Sequence, residues 1–252
     1  MEDNNLWHKV ERRLARHLAA KRIRMRNNTA IVSFTFDDVP QSACRTGRDI
    51  LERYGCRGTY YVCGGLTDWS SSNGSMHSRT DLLSLLDAGH ELGCHGYGHQ
   101  NYQTLTIEEI RADISRNRIF FEELGCDVVA LNFAYPFGCV SPVIKRVASH
   151  EFVSARGIRP DLNAYQADLA LLNAPPLYEY LWNESSLAKL IDRNARKKAW
   201  LIFFTHEVVD EPDQFGCTPS LLDFAVRKAQ ESGALVLPVK HALEHIGFRV
   251  TH

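Results

Sequence analysis

Two adjacent carboxylates, Asp37 and Asp38, follow directly on the apolar run Ile31-Val32-Ser33-Phe34-Thr35-Phe36. Neighbouring carboxylates at the end of a buried strand repel each other and lose solvation, a cost that a metal ion or a shared proton offsets. Adjacent side chains also diverge, so one can hold an ion while the other faces water. The competing reading is a turn cap before Val39-Pro40. His95-Gly96-Tyr97-Gly98-His99 sets two imidazoles four residues apart, a spacing at which both can share one divalent ion. The intervening glycines speak for a tight loop rather than a helix. Two unrelated loop histidines would look the same in isolation. Cys94 adjoins the pair, but strand alternation turns it away. A third run ends in Ala134-Tyr135-Pro136-Phe137, and a fourth, Trp200-Leu201-Ile202-Phe203-Phe204, ends in Thr205-His206. A lone histidine at a strand end is as easily structural. Four such endings are harder to dismiss together.

The elements that must position these groups are strands. Residues 30–36, 58–62, 90–94, 128–134, 152–155, 169–173, 200–205 and 235–237 read as strands. Helical patterns occupy 45–54, 80–88, 106–124, 142–149, 184–198, 219–231 and 239–246. Thr106 and Glu109 form a capping-box signature, Pro142 suits a first helical turn, and Gly89 suits a helix end. Apolar strands separated by helices imply a mostly parallel sheet covered on both faces. Their number predicts a distorted (β/α) barrel of about seven parallel strands, and strand carboxyl ends meet at one mouth in a barrel.

Residues 5–26 read as one extra N-terminal helix, with residues 1–28 set apart from a domain over 29–252. Leu6, Val10, Leu14 and Leu18 share a face, and Lys9, Arg12, Arg13, Arg16, Lys21, Arg22, Arg24 and Arg26 make the rest basic. The expectation is a stripe packed on the domain; a membrane-surface or partner-binding helix is the rival. With 252 residues, 44% hydrophobic, 23% charged and a net charge of -1, the chain is globular. Nothing in these totals steers it toward nucleic acid or an anionic membrane. No run of 18 apolar residues predicts a transmembrane segment and no secretory signal is visible, which points to the cytoplasm. Seven cysteines without a CxxC pair point to reduced thiols.

On these motifs the chain resembles the polysaccharide deacetylase family, carbohydrate esterases with a NodB-like domain. Thr35-Phe36-Asp37-Asp38 matches the family's opening T-F-D-D. His95-Gly96-Tyr97-Gly98-His99 matches H-[ST]-x-x-H with Gly96 where Ser or Thr is usual. Ala134-Tyr135-Pro136-Phe137 matches R-x-P-Y without its arginine, and Phe204-Thr205-His206 matches L-x-H. The resemblance runs over roughly residues 30–246. It implies removal of an acetyl group from an N-acetylated sugar or polysaccharide. It further implies one divalent metal ion, most naturally Zn2+ with Co2+, Ni2+ or Fe2+ also accommodated, on Asp38, His95 and His99. Asp37 would be the base acting on water, and His206 the acid. Tyr135, Pro136, Phe203 and Phe204 would shape the acyl pocket, and the Phe137 backbone N–H would meet the oxyanion. Arg156, just after the strand at 152–155, could stand in for the missing arginine. A deformylase, an O-deacetylase, another amide hydrolase or a non-catalytic sugar-binding domain would share the scaffold.

Overall fold

The computed structural model describes residues 6–71, 74–125 and 132–248. Helix α1 (Leu6–His17) leads through strand β1 (Arg22–Arg24) into β2 (Ile31–Asp37). Then come α2 (Arg48–Arg53), β3 (Thr59–Val62), the short pair β4 (Ser70–Ser71) and β5 (Gly74–Ser75), α3 (Arg79–Asp87) and β6 (Glu91–Cys94). They are followed by α4 (Ile107–Glu123), β7 (Asn132–Ala134), α5 (Pro142–Glu151), β8 (Ser154–Arg156) and β9 (Gln166–Asp168). The chain closes with α6 (Glu184–Lys197), β10 (Trp200–Thr205), α7 (Pro219–Glu231), β11 (Leu235–Val236) and α8 (Val239–His245). The main sheet runs β10-β2-β3-β6-β7-β8, with β11 beside the start of β2, and every pairing in it is parallel.

These seven strands form the distorted barrel expected from the alternation of apolar strands and helices. Between β8 and β10 an irregular segment replaces a strand. The Leu172 N–H donates to Ala155 O at 2.8 Å, the Gly157 N–H to Leu172 O at 2.9 Å, and the Leu177 N–H to Phe204 O at 2.7 Å. The strand expected at 169–173 is therefore a turn with a single bridge at Leu172. Of the strand expected at 128–134, residues 132–134 are β7, and 128–131 lie outside the described residues.

Successive strand side chains point to opposite faces. On β2, β3 and β10, Val32, Phe34, Phe36, Tyr60, Val62, Leu201 and Phe203 pack outward against Leu187 and Ile191 of α6 and Leu222 and Val226 of α7. The other parity faces inward, where Ile31, Trp200, Ile202 and Phe204 meet Leu172, Tyr178 and, from α8, Val239 and Leu243. Inward parity also carries Asp37, His95, Ala134, Arg156 and His206 toward the mouth. The helix starts follow their signals: Thr106 and Glu109 form a reciprocal capping box on α4, and Ser141 caps α5 ahead of Pro142.

The N-terminal segment departs from the expected single helix. Lys145, buried on α5, donates to Ala15 O and Leu18 O at 2.7 and 2.9 Å. It also pairs with Asp168 at 2.5 Å. Asp168 in turn accepts from Ala20 N and Lys21 N. Backbone groups that would continue α1 are thus spent elsewhere, and β1 pairs antiparallel with β9. The apolar stripe does not pack on the domain either. Ala15 makes the buried contact, while Leu6, Val10, Leu14 and Leu18 are 76%, 38%, 46% and 57% exposed. Polar contacts set this orientation: the Gln103 amide donates to His8 O and Glu11 Oε2 and accepts from Arg12. The six described cysteines are buried thiols, and no described helix is long and apolar enough to cross a membrane.

Candidate active site

The mouth is built at the carboxyl ends of β2, β3, β6, β7, β8 and β10. At the end of β2 the backbone turns sharply, because Asp38 (φ 59°) and Val39 (φ 58°) are both left-handed. That conformation is costly for a non-glycine residue, and most costly for a β-branched one. His77, fully buried, holds it in place. Its N–H donates to Val39 O at 3.2 Å, and its Nδ1–H donates to the same carbonyl at 3.0 Å. A carbonyl only accepts, so Nδ1 carries the proton, and Nε2 accepts from Thr67 Oγ1 at 3.1 Å.

The turn sends the two carboxylates apart. Asp37 meets Arg156, whose guanidinium donates to Asp37 Oδ1. Arg156 is 1% exposed and lies between the rings of Tyr61 and Phe204, at 4.9 and 4.7 Å from their centroids. Ala134 and Arg156 are register partners on adjacent parallel strands, so the guanidinium enters from one strand over at the level where the family carries its arginine. Burial pushes the Asp37 carboxyl up. The positive charge of Arg156, then His95 and His206, and the Arg156 hydrogen bond together outweigh it and hold the carboxyl below its usual value.

Asp38 turns to the histidines. Its Oδ1 is 3.5 Å from His95 Nε2 and 3.2 Å from His99 Nε2, and its Oδ2 is 3.8 Å from His206 Nε2. The His95 and His99 rings are 5.3 Å apart. His95 Nδ1–H donates to Ala134 O at 2.8 Å and His206 Nδ1–H to Phe215 O at 3.1 Å, so each presents Nε2 to the centre. Burial pushes His99 down to about 4, opposed by Asp38 and reinforced by His95 and His206.

The loop between the histidines hangs from Asp113 on α4. That carboxylate accepts from Tyr97 N–H, Gly98 N–H and Tyr102 OH at 2.9, 2.9 and 2.7 Å. Gly96 is left-handed (φ +74°), and a Cβ there would stand 2.5 Å from Asp113 Oδ2 and 2.7 Å from Tyr102 Oη. The space that Ser or Thr would need is already filled.

Of the other residues expected here, Phe137 (φ 57°) is 55% exposed with its ring 4.3 Å from that of His99, and Phe204 backs Arg156. Tyr135 does not open to the mouth: it is 1% exposed and its hydroxyl donates to Ala170 O. Pro136 is likewise buried, and Phe203 stacks on Phe34 in the outer core. Cys94 turns away to Asn117, but Cys63 points in, within 4.8 Å of donor atoms of Asp38 and His95. It lies on the inward parity just past β3, a signal that strand alternation alone could have supplied. Its thiol donates to His95 O at 3.2 Å, and burial pushes it up. Asp113 and His77 carry no motif, and only the folded chain brings them to the site.

A family model described as polysaccharide deacetylase matches residues 24–152, just over half of the chain. A bifunctional xylanase/deacetylase of Pseudobutyrivibrio xylanivorans is 30% identical over 87 residues, which is 34% of this chain and 13% of that protein. The chain thus aligns with a small part of that relative. Among solved structures, the Xyl-CE4 domain of a multidomain xylanase from the hindgut metagenome of Trinervitermes trinervoides aligns with TM-score 0.61 at 21% identity. That alignment covers 88% of this chain and 93% of the other. A pseudoenzyme of carbohydrate esterase family 4 from Bacillus anthracis aligns with TM-score 0.63 at 19% identity, over 92% and 71%. At such identities the structures speak for the fold, and the family model speaks for descent: the chain belongs to the polysaccharide deacetylase family.

Proposed function

We propose that the chain is a metal-dependent hydrolase that removes acetyl groups from an N-acetylated saccharide. The observation that carries this reading is the convergence of Asp38, His95 and His99 beside an ionised Asp37 and across from His206. Asp38 stands at ligand spacing from each histidine, while the donor atoms that all lie within 4.8 Å of one another belong to Asp38, Cys63 and His95, without His99. Two ligands on a tetrahedral Zn2+ at about 2.1 Å stand roughly 3.4 Å apart, and Asp38 Oδ1 lies 3.5 and 3.2 Å from the two histidine nitrogens. The Ala134 carbonyl fixes the His95 tautomer from behind, as partners of metal-binding histidines do. Two imidazoles and a carboxylate suit Zn2+ and also accept Co2+, Ni2+ or Fe2+. Cys63 is a neighbour whose thiol is already bonded to the His95 carbonyl.

When bound, such an ion supplies Lewis acidity toward a carbonyl and eases the loss of a proton from water. Asp37, held ionised by Arg156, takes the proton of the attacking water. His206, protonated at Nε2 while Nδ1–H stays on Phe215, delivers a proton to the departing nitrogen. Exposed Phe137, Tyr180 and Phe215 offer apolar faces to a sugar ring around the mouth.

Acetate release from a panel of acetylated oligosaccharides, with and without chelator, tests the proposal. Release that chelator abolishes and added Zn2+ restores is expected. Metal bound stoichiometrically with no release from any N-acetyl, O-acetyl or formyl substrate would overturn it in favour of a non-catalytic sugar-binding domain.

A further inference from the structure

Helix α1 shows to solvent the face that a packed helix hides. At about 100° per residue it divides into three faces. Ala15, with half-buried His8, Glu11 and Arg12, sits on the domain. Leu6, Trp7, Val10, Leu14 and Leu18 form a second face, 76%, 65%, 38%, 46% and 57% exposed. Exposed Lys9, Arg13 and Arg16 form the third. The apolar and basic faces flank the outward direction, so a flat surface approaching α1 meets both.

The charge is segregated as well. Residues 1–26 hold eight Lys or Arg and three Asp or Glu, a surplus of five positive charges in a chain of net charge -1. Burial, and then the like charges of Arg159, Arg12 and Arg13, push the Arg16 guanidinium down. The helix is also held firmly. Lys145 takes the carbonyls of Ala15 and Leu18, a cation where the helix dipole is negative.

We infer that α1 seats the chain on an anionic lipid surface. Its leucine stripe enters the boundary between headgroups and acyl chains, and its basic flank rests on the anionic headgroups. A second copy is the poorer occupant, because a two-fold contact through this face would set the basic flank against itself. The seat adjoins the mouth. Arg12 and Arg16 line a shallow cavity with Gly138 and Gly157, the residues that follow Phe137 and Arg156.

Co-sedimentation of the full chain tests this, using vesicles of phosphatidylcholine alone or with about 30% phosphatidylglycerol. Binding to the anionic vesicles, weak binding to neutral ones and weakening by salt are expected. Leu6→Ser/Leu14→Ser/Leu18→Ser should lower partitioning at least about tenfold, with an unchanged melting transition because none of the three is in the core. Arg13→Glu/Arg16→Glu should remove the preference for anionic vesicles. If the triple variant does not fold, Leu14→Ser alone should give a smaller loss of the same sign. No partitioning by the wild type, or partitioning untouched by the serine substitutions, overturns the inference. So does a dimer in lipid-free solution that the serine substitutions dissolve, since a second copy would then cover the face.

Discussion

Arg156→Ala isolates the electrostatic support of Asp37. The pair is buried, with side chains 1% and 5% exposed. Removing one partner of a buried pair strands the other, at a cost of about 3–5 kcal/mol. The sign of the pH dependence follows from Asp37, whose carboxyl lies below its ordinary value of 3.8 in the folded chain. A depressed carboxyl stabilises the fold fully above the unfolded value and loses that contribution as pH falls through the folded one. The stability lost in Arg156→Ala should therefore be large near neutral pH and shrink in acid. Burial then acts on Asp37 without its main opponent, so the acidic limb of the pH–rate profile should move to higher pH. Turnover should fall on the order of 10²-fold, since a mispositioned base loses about that much, while bound metal stays stoichiometric. The register supplies a rescue: Ala134→Arg in the Arg156→Ala background returns a guanidinium to the same level from the neighbouring strand, and turnover should partly recover. Urea melts across pH, metal analysis and acetate release on the same samples decide it. Full turnover with an unmoved acidic limb in Arg156→Ala would refute the argument, and so would loss of metal in step with activity.

Asp37→Asn and His206→Ala should keep metal but lose on the order of 10²–10⁴-fold in turnover. Asp38→Ala and His95→Ala should lose both, as read by metal analysis beside the assay. Asp113→Ala frees three donors at the histidine loop and should weaken metal binding by about 10–100-fold; an unchanged metal titration would argue against its positioning role. His90 is buried and neutral, accepting from Gly58 N–H and facing Glu52, and burial pushes it from 6.5 down to about 4. A histidine depressed in the folded state costs stability as pH falls between those values. Melts from pH 6.5 to 4 should therefore show a loss of about 3 kcal/mol that His90→Gln reduces.

Much of the site is legible from period alone. Asp37, His95 and His206 sit at the carboxyl ends of apolar runs, and inward parity in a parallel barrel brings such ends together whatever the loops do. Arg156 is legible for the same reason, as the next strand's inward residue. Asp113 and His77 are not, because each lies in a helix or loop with no pattern that ties it to the mouth. The direction of the α1 stripe also escapes the pattern. A leucine repeat says that one face is apolar, but here the domain side was taken by Gln103 and Lys145, which bond to backbone and polar groups of α1. The turn at 169–173 escapes for a related reason: its apolar residues bridge two strands singly without forming a ladder.

That bridging segment has a consequence for solubility. A barrel left open between β8 and β10 would present two unpaired strand edges, each a template for another chain's backbone. Residues 172–177 cover both, meeting Ala155 and Gly157 on one side and Phe204 on the other. The stretch includes Pro175-Pro176, which have no N–H to offer an incoming strand. The seam that keeps the ladder from closing thus also guards the protein against growing by strand addition.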